Sequence, residues 1–158
     1  MPDSSAKLRI ALGADHAGFQ IKESIRKYLE ASGYTVNDIG TFSEEAVDYP
    51  DVAVLAARRV AEGQDDLGIL VCGTGSGMTI AANKVPGIRA APAHNAATAR
   101  LAREHNDANV LAMGGRFLTS EQAVEMVREF LAAEFAGGRH ERRVNKITQL
   151  DGERKTKP

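Results

Sequence analysis

Leu67-Gly68-Ile69-Leu70-Val71-Cys72-Gly73-Thr74-Gly75-Ser76-Gly77 is the stretch whose reading decides the fold. Leu67 to Val71 is an apolar run without alternation, the pattern of a strand whose sheet is covered on both faces. A lone thiol follows, then three glycines separated by Thr74 and Ser76, then a helix-like stretch from Met78 to Lys84. Strand, small-residue loop and helix in that order form part of a parallel β-α-β unit. The loop's backbone N–H groups can face an anion, and glycine lets the chain approach a ligand closely or take positive φ. Cys72 admits two readings: a small apolar residue closing a buried strand, or a thiol at a helix N-terminus, where the thiolate is favoured.

The same alternation runs outward in both directions. Lys7 to Gly13 reads as a strand, and Ala17 to Ser32 as a helix with Ile21, Ile25, Tyr28 and Leu29 at helical spacing. Gly33 fits the residue just past that helix. Thr35 to Ile39 is a second strand, Gly40 to Pro50 a loop, and Asp51 is expected to cap a helix reaching about Glu62. After the third strand and its helix come Val85-Pro86-Gly87, a fourth strand from Ile88 to Ala93, and a helix from Ala96 to about His105 capped by Asn95. Val110 to Gly114 is the fifth strand. Thr119 and Gln122 have the spacing of a capping box, opening a helix with Val124, Val127 and Leu131 on one face. Arg139 to Lys146 can extend as one more helix. The expectation is an α/β fold: a doubly wound, five-stranded parallel sheet ordered 2-1-3-4-5 with helices on both faces. The expected boundaries are a disordered lead over 1–6, one domain over 7–150 and a mobile tail over 151–158.

Composition narrows the function classes. The chain has 158 residues, 20 basic and 21 acidic side chains and a net charge of −1, so no strong field favours nucleic acid or an anionic membrane. No apolar run approaches the roughly 20 residues of a membrane span, and the polar first residues lack the apolar core of a signal segment. A single cysteine excludes an internal disulfide framework and fits a reducing compartment, so a cytoplasmic location is expected. No metal-ligand spacing is present.

Four segments carry polar residues where chemistry is done. Asp15 and His16 follow strand one, and Cys72 to Gly77 follow strand three. In the expected sheet these strands are neighbours at the switch point, where ligands bind. His105, Asn106, Asp107 and Asn109 precede strand five, at the opposite end of the sheet from Cys72; if they act, a second subunit must bring them to it. Arg116, and then the basic run Arg139-His140-x-Arg142-Arg143, form a fourth segment in which two or three arginines suit bidentate phosphate recognition. Each has a plainer reading, as helix cap, structural turn or solvated charged end. His94 reads as a residue that opens a helix.

Taken together, these segments resemble the ribose-5-phosphate isomerase B family, which includes galactose-6-phosphate isomerase subunits. The resemblance is carried by Gly13-Ala14-Asp15-His16-Ala17-Gly18, Asp48-Tyr49-Pro50, Cys72 to Gly77, Ala81-Ala82-Asn83-Lys84, Gly87-Ile88-Arg89-Ala90, His105-Asn106-Asp107-x-Asn109-Val110 and Gly137-Gly138-Arg139-His140-x-x-Arg143-Val144. It implies a Rossmann-like fold, a homodimer or tetramer with a shared active site, and no metal or organic cofactor. It implies that Cys72 is the catalytic base and His105 the ring-opening acid from a partner subunit. Asp15, His16 and Asn106 would bind substrate, and Gly73, Thr74, Gly75, Ser76 and Gly77 would hold the enediolate. Arg116, Arg139 and Arg143 would bind phosphate. Met78 stands where another branch of the family has a glutamate, which places this chain in the cysteine branch. Ala91 to Ala97 departs from the family pattern. The implied reaction interconverts ribose 5-phosphate and ribulose 5-phosphate through a cis-enediolate. A six-carbon phosphosugar, allose 6-phosphate or galactose 6-phosphate, is the alternative substrate, and a non-catalytic nucleotide-binding module is the rival of another class.

Overall fold

In the computed structural model, residues 7–153 are described; the expected lead over 1–6 and the expected tail from 154 onward lie outside them. Five parallel strands form one sheet: β1 (Arg9–Ala14), β2 (Thr35–Gly40), β3 (Leu67–Cys72), β4 (Ala90–Pro92) and β5 (Val110–Gly114). Six helices accompany them: α1 (Phe19–Ala31), α2 (Tyr49–Ala61), α3 (Ser76–Ala82), α4 (Ala96–Asn106), α5 (Ser120–Ala132) and α6 (Arg139–Gly152). Short 3₁₀ turns follow β1 (His16–Gly18) and β5 (Gly115–Phe117).

The sheet order is β2-β1-β3-β5-β4, which corrects the expected 2-1-3-4-5. The outer two strands are exchanged, and the physical reason lies in their composition. All five residues of β5 are buried, as a strand with partners on both sides requires, whereas β4 is three residues long and ends in Pro92. A proline lacks the N–H of a ladder bond and belongs at an edge. The outer edge of β4 is closed by a side chain: Asn83 accepts from the Ala90 N–H at 2.8 Å and donates to the Ala90 carbonyl at 2.9 Å. That amide takes the place of a sixth strand and blunts a template for edge pairing.

The layers follow from this order through right-handed crossovers. Chain progress from β1 to β2 and from β4 to β5 runs one way across the sheet, and α1 and α4 lie on the same face, with α5. Progress from β2 through β3 to β4 runs the other way, and α2 and α3 lie on the opposite face. The first face packs Ile10, Leu12, Ile69, Val71, Leu111 and Met113 against Ile21, Ile25 and Leu29 of α1 and Met126, Val127 and Phe130 of α5. The second packs Ala11, Leu70, Cys72 and Ala112 against Ala53, Ala56, Ala57 and Val60 of α2 and Met78 and Ala82 of α3.

The expected capping box at Thr119–Gln122 is formed, Asn95 caps α4 as expected and does so in a further capping box with Thr98, and Gly33 has φ +88° just past α1. Asp51 is not the cap of α2: Asp48 holds that position and Pro50 lies in the first turn, where a missing N–H costs nothing. α6 runs to Gly152, two residues past the expected domain boundary.

Candidate active site

Cys72 ends β3 and is 4% exposed. Its Sγ accepts a hydrogen bond from the Gly75 N–H at 3.1 Å, so the loop curls back on the sulfur. Gly75 makes this turn at φ +86°, and a Cβ there would also stand 3.0 Å from the Met113 backbone. The neighbouring strand is equally tight, since a Cβ on Gly114 would lie 2.7 Å from the Thr74 carbonyl oxygen. Glycines on both sides are what let the loop lie against the end of β5. Thr74 and Ser76 are exposed, and Thr74 Oγ1 accepts from the Ser76 N–H at 3.2 Å, which leaves the hydroxyl proton for another acceptor.

Asp15 and His16 stand beside this loop. The Asp15 N–H donates to the Val71 carbonyl at 3.1 Å, joining the end of β1 to the end of β3. The buried Asp15 carboxylate accepts from the Gly18 N–H at 3.1 Å, so it caps the 3₁₀ turn. His16 Nδ1 accepts from the Val47 N–H at 3.2 Å.

Arg116 lies on the other side of the loop. Its N–H donates to the Gly73 carbonyl at 3.2 Å, and its guanidinium carbon is 3.1 Å from where a Cβ on Gly73 would be. The corrected strand order is the reason: β5 is the direct neighbour of β3, whereas the expected order put a strand between them. The loops after β1 and β5 both leave toward the α1–α5 face and meet over Val71, while the loop after β3 leaves toward the α2–α3 face. They part at Cys72. A cleft of about 320 Å³ lies between the loop after β3 and the ends of β4 and β5, lined by Thr74, Ser76, His94, Phe117 and Leu118.

His105, Asn106, Arg139 and Arg143 are not part of this assembly within one chain. The register pairs Val110 with Gly68 and Gly114 with Cys72, so β5 begins four residues, about 13 Å, below Cys72, and His105 lies before that start. There it stacks on His140 of α6, ring centroids 4.2 Å apart and planes 12° from parallel. Arg139 precedes His140, and Arg143 lies one helical turn further on. Burial, with the nearby charges of His105, Arg139 and Arg143, holds the His140 pKa below the usual histidine range. Asn106 borders a separate cavity of about 350 Å³ between β4 and α6.

The rest of that segment is structural. Asp107, at φ +47°, accepts from Arg103 at 3.0 Å and from Arg89 at 3.4 Å. Asn109 accepts from the Arg89 N–H at 2.7 Å and donates to the Gly87 carbonyl at 2.9 Å. Both tie α4 to the root of β4, which leaves His105 and Asn106 as the residues without such a task.

Three further residues stand near these groups. Tyr49 covers Gly77, where a Cβ would meet its ring at 2.5 Å. His94 lines the cleft beside Thr74, and His140 backs His105. Only the last carried a local signal, its place in a basic cluster.

A family model described as ribose/galactose isomerase matches residues 10–147. The chain belongs to the ribose/galactose isomerase family. Among curated relatives, ribose-5-phosphate isomerase B of Escherichia coli is 47% identical over 146 residues, covering 92% of this chain and 98% of that protein. A solved ribose-5-phosphate isomerase B of Clostridium thermocellum superposes with TM-score 0.92 at 48% identity, covering 94% of this chain and all of the other. A Mycoplasma genitalium ribose-5-phosphate isomerase B, solved with bound ribulose 5-phosphate, has TM-score 0.88 at 43% identity over 92% of this chain and 97% of its own. As a member of this family the chain is an isomerase, and the reading as a nucleotide-binding module without catalysis falls away.

Proposed function

We propose that this isomerase interconverts ribose 5-phosphate and ribulose 5-phosphate, in the cytoplasm, at a site that two copies of the chain complete. The observation that carries the proposal is Cys72 Sγ held at the root of a glycine loop, with Asp15 on one side and Arg116 on the other. The names of the relatives and the ribulose 5-phosphate bound to the Mycoplasma structure support the choice of substrate.

The chemistry follows from the groups present. His105 of one copy protonates the ring oxygen as the C1–ring-oxygen bond breaks; the O1 hydroxyl loses its proton to water as C1=O1 forms, and the imidazole regains a proton from water, leaving the open-chain aldose. The Cys72 thiolate of the other removes the proton on C2, and the electron pair moves through the C1–C2 bond onto the C1 oxygen. The cis-enediolate is held by loop N–H groups and the Thr74 hydroxyl. The O2 proton passes to O1, and the thiol returns its proton to C1, giving the ketose and regenerating the thiolate. Removing one donor to a developing oxyanion typically costs about 3–4 kcal/mol in the transition state. Asp15, His16 and Asn106 bind the sugar hydroxyls. Arg116 with the partner's Arg139 and Arg143 bind the phosphate, remote from the reacting carbons, so its binding energy fixes C2 against the sulfur.

The test is proton exchange in heavy water. The wild type should exchange the C2 proton of ribose 5-phosphate while forming ribulose 5-phosphate, and Cys72→Ala should bind the sugar yet do neither. Near-normal turnover by Cys72→Ala would end the assignment of the base. A higher kcat/KM for a six-carbon phosphosugar than for ribose 5-phosphate would end the assignment of the substrate.

A further inference from the structure

The loop between β2 and α2 lies along the β1 wall of the crevice and leads into Tyr49 of α2 on the other, and a buried charge sits at its root. Lys22 of α1 is fully buried, which is rare for a lysine without a partner. Its Nζ donates to Asp38 of β2 at 2.6 and 2.8 Å and lies 3.4 Å from Glu23. The ammonium also sits 5.1 Å from the ring centroid of Phe42, which belongs to the loop. Asp38 in turn accepts from the Gly40 N–H at 2.9 Å, so the ion pair is bonded to the last residue of β2, where the loop begins.

From that root the loop is tied down along its length. The Thr41 N–H donates to the Ala14 carbonyl at 2.7 Å, one residue before Asp15. Glu44 accepts from the Gln20 side chain at 2.8 Å. The Val47 N–H donates to His16 Nδ1, and Asp48 then opens α2, whose Tyr49 covers Gly77. A ring nitrogen that accepts from a backbone N–H carries a lone pair, so a neutral imidazole in this bond has its proton on Nε2.

We infer that residues 41–48 form a strap that holds His16 as a neutral imidazole protonated on Nε2, and that the Lys22–Asp38 pair fixes the root of this strap. Val47 and Lys22 are positioning residues in this scheme, acting through His16. The consequence for recognition rests on the reading of His16 as a substrate-binding residue. His16 then meets the phosphosugar as a directional, uncharged N–H donor, and the positive charge facing the phosphate comes from the arginines alone.

The experiment uses the full-length protein labelled with ¹⁵N at histidine, with the His16 signals assigned by their loss in His16→Gln. Near neutral pH the wild type should show an unprotonated Nδ1 and a protonated Nε2. Val47→Pro removes the N–H and should shift His16 toward a mixture of tautomers. It should raise KM for ribose 5-phosphate about three- to tenfold, with kcat within about twofold, the loss of one neutral hydrogen bond. Val47→Ala keeps the N–H and should match the wild type in both readings. Lys22→Met/Asp38→Asn removes the charges together, so it leaves no unpaired buried carboxylate, and it should reproduce part of the Val47→Pro change. A wild-type His16 protonated on Nδ1, or cationic, overturns the inference. So does a Val47→Pro protein with wild-type tautomer and KM, and an unchanged double variant overturns the role of the ion pair. The tautomer is read without turnover, so a protein inactive on ribose 5-phosphate would refute the proposed substrate and leave this reading standing.

Discussion

Mixing two inactive variants tests the division of the site between chains. Ring opening and C2 deprotonation act within two bonds of C1, so acid and base must meet almost the same point. A proton donor works within about 3 Å of its target. The pairing of Val110 with Gly68 puts His105 at least about 13 Å below Cys72 along the strand direction of its own chain. Cys72→Ala and His105→Ala homodimers should therefore both be inactive, each lacking one group at both sites. In a heterodimer one site lacks both groups and the other has both. Free exchange of equal amounts makes about half the dimers mixed, so activity should recover to about one quarter of wild type. Mixing wild type with Cys72→Ala/His105→Ala gives the complementary result: every mixed dimer is inactive at both sites, and activity per wild-type chain should fall to about half. Initial rates of ketose formation read both outcomes, and native mass spectrometry confirms the exchange. Exchanged heterodimers without recovered activity, or wild type undiminished by the double variant, would refute the shared site.

Three further changes probe the frame around the site. Gly18→Ala puts a Cβ 2.4 Å from the Val71 carbonyl oxygen, which is already held by the Asp15 N–H, so about 1–3 kcal/mol of stability should be lost; a urea midpoint equal to that of Gly152→Ala, whose Cβ meets nothing within 4 Å, would contradict this. His140 has a folded-state pKa depressed by burial and its charged neighbours, so its contribution is present above the unfolded value of about 6.5 and lost as pH falls through the folded value; His140→Gln should flatten the acid-side decline in stability, and an unchanged slope would count against the stacked arrangement. Arg9 holds the Asp66 carboxyl below the usual range through a side-chain bond and a backbone N–H at 2.7 Å. That contribution is present above about pH 3.9 and lost below it, so Asp66→Asn should lower stability at neutral pH by less than about 1 kcal/mol, as expected of an exposed pair, and converge with wild type in acid.

The parts of this fold that were legible in the sequence are those decided within about ten residues. β3 is buried along its whole length, as its unbroken apolar run required, and the Asn95 cap and the Thr119–Gln122 capping box formed because their side chains bond only to the next turn. The order of β4 and β5 is a choice between distant partners, and periodicity says nothing about it. The decisive sign was nonetheless present: Pro92 marks an edge strand, while Val110 to Gly114 contains nothing an edge needs. The Asp51 cap failed for a similar reason, since Asp48 precedes Pro50 and proline in a first turn moves the start upstream. At the site, Cys72, Asp15 and His16 could be placed because they end adjacent strands. The roles of Tyr49, His94 and the Val47 N–H depend on where loops lie in space, and no short spacing encodes that.

The exchange of the outer strands matters to chemistry because it decides what stands beside the glycine loop. With β4 next to β3, the loop would lie against the exposed end at Pro92, and Arg116 would be a strand further away. With β5 there, Gly114 and Gly115 come up against Thr74 and Val71, and the guanidinium of Arg116 lies on Gly73. A side chain at Gly73 would press on that guanidinium, and one at Gly114 would strike the Thr74 backbone. The glycines thus let the loop lie against the end of β5 and admit a permanent positive charge beside it. His105, the proposed acid, lies far from the sulfur of its own chain, because α4 ends at the opposite end of the sheet. On the proposed roles, one end of the sheet carries the base, the loop donors and one phosphate arginine, and the opposite end carries the acid and two arginines, so the proposed site needs the opposite ends of two copies to face each other.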